Sequence, residues 1–86
     1  MRLDKFLKVS RLIKRRTVAK ELADQGRVIV NGRPAKAATE VNPGDVLDIR
    51  FGQKTMTVKV TDLKETVKKD EAAELYEILK EEPTVL

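Results

Sequence analysis

"TVAKELADQGRVIVNGR" (residues 17–33) changes its hydrophobic period at Gly26, and that change decides the fold. Before the glycine, Val18, Ala19, Leu22 and Ala23 recur at helical spacing and define one apolar face. Thr17 is the expected N-cap, and Gly26 stands where a glycine lets the chain leave a helix in a left-handed conformation. After it, the β-branched run Val28-Ile29-Val30 meets Asn31-Gly32, the strongest short-range hairpin signal. Pro34 has no N–H to give and belongs on a sheet edge. A helix therefore hands over directly to an antiparallel hairpin.

Upstream, Leu3, Phe6 and Leu7 stand at i, i+3 and i+4 and predict a first helix that Ser10 ends. Asp4 falls in its first turn, where a carboxylate faces the positive end of the helix dipole. "SRLIKRR" connects the two helices. Downstream, "VNPGDVLDIRF" (residues 41–51) holds Pro43-Gly44, a type II turn pair. Leu47, Ile49 and Phe51 then alternate with Asp48 and Arg50, Gly52 marks a turn, and Met56, Val58 and Val60 alternate with threonines and Lys59. Both stretches have the period of strands. "DEAAELYEILKEE" (residues 70–82) predicts an acidic amphipathic helix with Leu75, Ile78 and Leu79 as its stripe, ended by Pro83. The expected class is α+β: two packed N-terminal helices on a small antiparallel sheet, plus a C-terminal helix. The organisation read from this order is one domain over 1–65, then a C-terminal acidic helix and tail over 66–86.

Composition narrows the function. The chain has 86 residues, of which 37% are charged, against about a quarter in ordinary domains. It contains neither Cys nor His, which excludes disulfides, thiolate metal sites, Cys nucleophiles and imidazole acid–base chemistry. No phosphate loop or dinucleotide fingerprint is present, and the four glycines fall at predicted turns. The expectation is a protein that is not an enzyme and needs no cofactor or metal. No apolar run approaches the roughly 20 residues of a membrane span, and no secretory h-region opens the chain, so a soluble cytoplasmic protein with no membrane partner is expected.

Charge is segregated. Residues 1–36 hold eleven Lys/Arg and three Asp/Glu, a net of +8, whereas residues 37–86 hold seven and eleven, a net of −4. Such segregation speaks of partners rather than of fold. A solvated helix face would mix signs, yet eight of the first 20 residues are Lys or Arg and only Asp4 is acidic. Arg2, Lys5 and Lys8 repeat at steps of three beside the apolar stripe, and Arg16 and Lys20 share a flank of the second helix, so the cations stand on a folded scaffold. A nuclear-import run needs no scaffold, and a membrane-surface helix needs a large exposed apolar face.

The cations of the second helix, chiefly Arg15, Arg16 and Lys20, suit phosphates better than base edges. The chain has only three aromatics, Phe6, Phe51 and Tyr76, too few for a stacking platform once two are assigned to apolar stripes. The remaining reading is recognition of a folded, duplex-containing RNA through shape and backbone.

"RLDKFL", then "SR", then "AKELADQGRVIVNG" and later "PGD" resemble the S4-type (alpha-L) RNA-binding domain over about residues 1–51. The resemblance implies two helices on a strongly bent antiparallel sheet, with the helical pair and the following hairpin forming the RNA face. Within that family, "FGQK" and "YEILKEE" add a likeness to small bacterial ribosome quality control factors. The likeness implies binding to large ribosomal subunits obstructed by peptidyl-tRNA, with contacts to 23S rRNA and tRNA. It also implies support of the partner RqcH during C-terminal alanine tailing of the stalled chain, and a monomer off the ribosome. The related fifteen-kilodalton heat-shock proteins are longer and end in a basic extension, unlike this acidic tail. An assembly or ribosome-recycling factor with the same domain, and an adaptor using Glu74, Glu77 and Glu81, are the alternatives.

Carried over onto this sequence, Arg2, Lys5 and Arg16 are the expected backbone contacts to RNA. Lys8, Arg11, Lys14, Arg15 and Lys20 extend them, and Arg27, Arg33 and Lys36 continue along the hairpin. Asn31 is expected to serve the turn. Asp4 is expected to orient Arg2 or Lys8 rather than touch RNA, and Lys69, which lies outside the basic half, is expected to matter far less for binding than Arg16.

Overall fold

The computed structural model describes residues 1–83. Helix α1 (Leu3–Val9) and helix α2 (Arg16–Asp24) precede β1 (Val28–Val30), β2 (Arg33–Pro34), β3 (Val46–Phe51) and β4 (Lys54–Val60). A 3-10 turn (Ala72–Leu75) then leads into β5 (Tyr76–Pro83). All pairings are antiparallel, in the order β2-β1-β3-β4-β5.

The hairpin forms where Asn31-Gly32 places it. Both residues have positive φ, 50° and 82°, as a two-residue primed turn demands. Asn31 also fastens the turn to β3: its Oδ1 accepts the Val46 N–H at 2.9 Å and its Nδ2 donates to Asp45 at 3.0 Å. Pro34 lies in the edge strand β2. Gly26 leaves α2 with φ 77°, and Gly44, at 95°, sits at the third position of a turn closed by Asp45 N–H donating to the Asn42 carbonyl at 3.1 Å.

The core gathers Leu3, Phe6 and Leu7 from α1, Ala19 and Ala23 from α2, and Val28, Leu47, Ile49, Val58 and Val60 from the sheet, nearly all with no accessible surface. At about 1.5–3 kcal/mol for each large side chain removed from water, this cluster holds the two helices against the sheet.

Three expectations need correction. Val18 is 39% exposed, because α2 meets its neighbours through the small side chains of Ala19 and Ala23 and turns Val18 to the flank. Ile13, in the connection between the helices, is buried instead. Thr17 does not cap α2: the helix starts one residue earlier, Arg15 is the extended N-cap residue, and no side chain caps the end.

The third correction concerns the C-terminus. The helix expected over 70–82 is a single 3-10 turn followed by a strand. Leu75 is fully buried, but Ile78 and Leu79 are each 49% exposed, so the helical stripe does not act as one face. β4 would otherwise present seven residues of unpaired backbone at the sheet edge; β5 satisfies them from Lys54 to Val60. Val58 faces Ile78 and Thr57 faces Lys80, which leaves Leu79 as a bulged residue and breaks the alternation. Glu, Lys and Leu favour helix by only tenths of a kcal/mol each, and pairing along a whole strand outweighs that preference.

Candidate nucleic-acid interface

The first turn of α1 is anchored from outside. Leu3 N–H donates to the Thr39 carbonyl at 2.8 Å and Asp4 N–H to that of Ala37 at 3.2 Å, while Arg2 bridges to Glu40. This anchoring buries the Asp4 side chain, which is 4% exposed. The carboxylate accepts the Lys5 N–H at 2.8 Å and two guanidinium edges. Arg2 approaches through Nε at 3.2 Å and Nη2 at 3.4 Å; Arg16, from the start of α2, approaches through Nε at 3.3 Å and Nη2 at 3.5 Å. Both arginine side chains are about half exposed, at 48% and 47%.

Burial pushes the Asp4 carboxyl up, but the Arg16 hydrogen bonds and charge, the Lys5 N–H and the Arg2 charge outweigh it and hold it below its ordinary range. Asp4 is therefore charged, and it orients Arg2 and Arg16, not Lys8. Each guanidinium spends its Nε/Nη2 edge on Asp4, so its Nη1 edge points away from the carboxylate, free to meet a second anion.

The other expected site residues fall into distinct places. Lys5 pairs with Glu65, from the connection between β4 and the 3-10 turn. Lys8, Arg11 and Lys14 line one open cleft, and the fourth residue lining it is Lys69. Lys69, outside the basic half in sequence, is thereby brought beside three of its cations. Arg15 is exposed at the start of α2, and Lys20 lies in a mixed-sign depression with Glu21 and Asp24. Arg27 and Arg33 are exposed on the hairpin, one before β1 and one on β2. Lys36 is tied down: its Nζ donates to the Asp24 carbonyl at the end of α2 at 3.3 Å.

Glu65 and Lys69 were missed because the residues after β4 read as mere connection. The available signal was the pair Leu63 and Val67, apolar residues four apart in a charged stretch; both pack against the core and lay the connection along α1. Among the described residues no cluster of His, Cys, Asp or Glu could hold a metal ion, and no helix is long and apolar enough to cross a membrane.

Comparisons with known proteins give the family and the fold. The family model described as the S4 domain matches residues 1–47. The "RQC P-site tRNA stabilizing factor" of Bacillus subtilis (strain 168) is 70% identical over 82 residues, covering 95% of each chain. The protein of the same name from Streptococcus pneumoniae is 58% identical over 81 residues, covering 94% of this chain and 92% of that one. Among solved structures, trimeric heat shock protein 15 of Vibrio cholerae superposes with a TM-score of 0.84 at 30% identity, covering 91% of this chain and 80% of its own.

Proposed function

We propose that this chain, which belongs to the S4 domain family and within it to the RQC P-site tRNA stabilizing factors, is a non-enzymatic protein that holds structured RNA on the ribosome through its Arg2–Asp4–Arg16 face. The observation that carries the reading is the buried carboxylate presenting two half-exposed guanidiniums on the side of the chain with a net charge of +8. Guanidinium edges fixed at a set spacing suit successive backbone phosphates, which position RNA without reading sequence.

In its finer form, the protein acts in the cytoplasm on large subunits that carry peptidyl-tRNA. It touches 23S rRNA and the tRNA, and supports RqcH-dependent alanine tailing. The names of the relatives support the quality-control and tRNA parts of this assignment, and the position of the cations supports contact with RNA. Lys5, Lys8, Arg11, Lys14, Arg15 and Lys20 extend the face along the helical pair, with Arg27, Arg33 and Lys36 at its hairpin end.

The test is cosedimentation with large subunits bearing peptidyl-tRNA, set against vacant subunits and immature particles, across a salt series. The logarithm of the association constant is expected to fall by about 0.7–0.9 per log unit of salt for each phosphate neutralised. Arg16→Ala, which removes a bidentate charge-assisted contact, is expected to weaken association about 10- to 100-fold. Lys59→Ala, an exposed position on β4, should leave it unchanged. Association indifferent to salt, or equal effects of the two variants, would sink this face; preference for immature particles would favour an assembly factor.

A further inference from the structure

The connection between β4 and the 3-10 turn brings a cation from the acidic half of the chain onto the basic half. We propose that Lys69 completes a phosphate-binding cleft with Lys8, Arg11 and Lys14, and that this cleft takes the sugar–phosphate backbone of a folded RNA. The inference rests on the RNA-binding reading above, which already places Lys8, Arg11 and Lys14 on the RNA face, and adds to it Lys69 and the cleft that the four residues form.

Three observations converge. First, the cleft is lined by four cations and no acid. Among the described residues none of the four pairs with a carboxylate. The adjoining depression shares Lys8 and Arg11 and contains Glu65, but that carboxylate is engaged by Lys5. Like charges gathered without a counter-ion repel one another in the free protein and are relieved by an anion.

Second, Arg11 has φ 62°, in the left-handed region just past the C-cap of α1, where glycine is the usual residue. A β-carbon there is strained, yet the position carries a guanidinium on the wall of the cleft. Backbone strain kept at a charged, ligand-facing position is the pattern of a binding site.

Third, Lys69 is not on a loose tether. Val67, two residues earlier, packs against the core, so the chain is delivered to the mouth of the cleft.

The chemistry favours a polyanion. No aromatic lines the cleft, so it offers no platform for a base, and it has no broad apolar wall for a lipid surface. Cations drawn from α1, the interhelical turn and a distant connection suit charges repeated along a backbone better than one small anion.

The experiment uses the full chain and a folded RNA with a duplex stem, with affinity measured by fluorescence anisotropy across a salt series. Lys69→Ala is expected to weaken binding about 3- to 10-fold at the lowest salt and to reduce the salt slope by about 0.7–0.9. Lys69→Arg should restore both. Arg11→Gly is the decisive variant: it relieves the backbone, so its melting temperature should hold or rise while binding falls as for Lys69→Ala. If both variants bind like Lys59→Ala while Arg16→Ala still binds weakly, the cleft is overturned and the RNA reading stands. If the unaltered protein shows no salt-dependent binding to RNA, the RNA reading fails, and the cleft with it.

Discussion

Asp4→Asn is expected to weaken RNA binding although it adds a unit of positive charge to the protein. Long-range electrostatics alone predicts the opposite. At about 10 Å from a phosphate and at physiological salt, one charge is worth only a few tenths of a kcal/mol. Against this stands the loss of two oriented guanidiniums. An amide in place of the carboxylate turns its NH2 toward guanidinium N–H donors, so Arg2 and Arg16 cannot both keep a bidentate grip. Immobilising each freed arginine again on binding costs about 0.5–1.5 kcal/mol, or roughly 1–3 kcal/mol for the pair. Orientation outweighs charge, and the expected result is an affinity about 3- to 100-fold lower. Tighter binding by Asp4→Asn would overturn the positioning role.

The same variant carries a pH signature. The folded-state pKa of Asp4 is depressed, so its contribution to stability is complete above the unfolded value and is lost as pH falls through the folded value. At neutral pH Asp4→Asn should cost about 1–3 kcal/mol, the range for a hydrogen-bonded charge whose partners can be resolvated. Unfolding followed from neutral pH to below the ordinary Asp value of about 3.9 should show the gap between the two proteins closing in acid. A gap constant with pH would mean that the carboxylate's charge contributes nothing.

The second large effect lies at the other end of the chain. Leu75→Ala is expected to destabilise the protein by about 2–5 kcal/mol, because Leu75 is fully buried in the core and its removal leaves a cavity. For a domain of this size each kcal/mol moves the melting temperature by about 4–8 °C, so a drop of roughly 10 °C or more should be visible in a thermal scan. Leu79→Ala, at the half-exposed bulge, should cost less than about 1 kcal/mol. A helix undocked from the sheet would make both substitutions nearly silent, so the contrast tests the strand directly.

The three apolar residues 75, 78 and 79 show where local reading stops. Their spacing is helical and their neighbours are good helix formers, yet the backbone of β4 needed a partner, which no window of this length can contain. Val18 failed for a related reason: periodicity gives the direction of the apolar face, but the width of that face depends on how closely α1 and α2 approach through Ala19 and Ala23. Lys69 escaped notice because the charge halves were divided along the chain, and the connection that carries it folds back over α1.

The sequence by itself determined the elements whose causes are local. The switch of period at Gly26, the primed turn at Asn31-Gly32, the turn at Pro43-Gly44 and the two alternating strands each depend on a few neighbouring residues and the φ they permit. It also determined that lysines and arginines crowd the first 36 residues. Only the tertiary structure decided what those cations face. Asp4 lies between Arg2 and Arg16 because α1 and α2 pack together, and Lys69 meets Lys8, Arg11 and Lys14 because Leu63 and Val67 bury themselves on the core. The geometry of a charge cluster is a long-range property, set by the burial of apolar side chains far away in the chain.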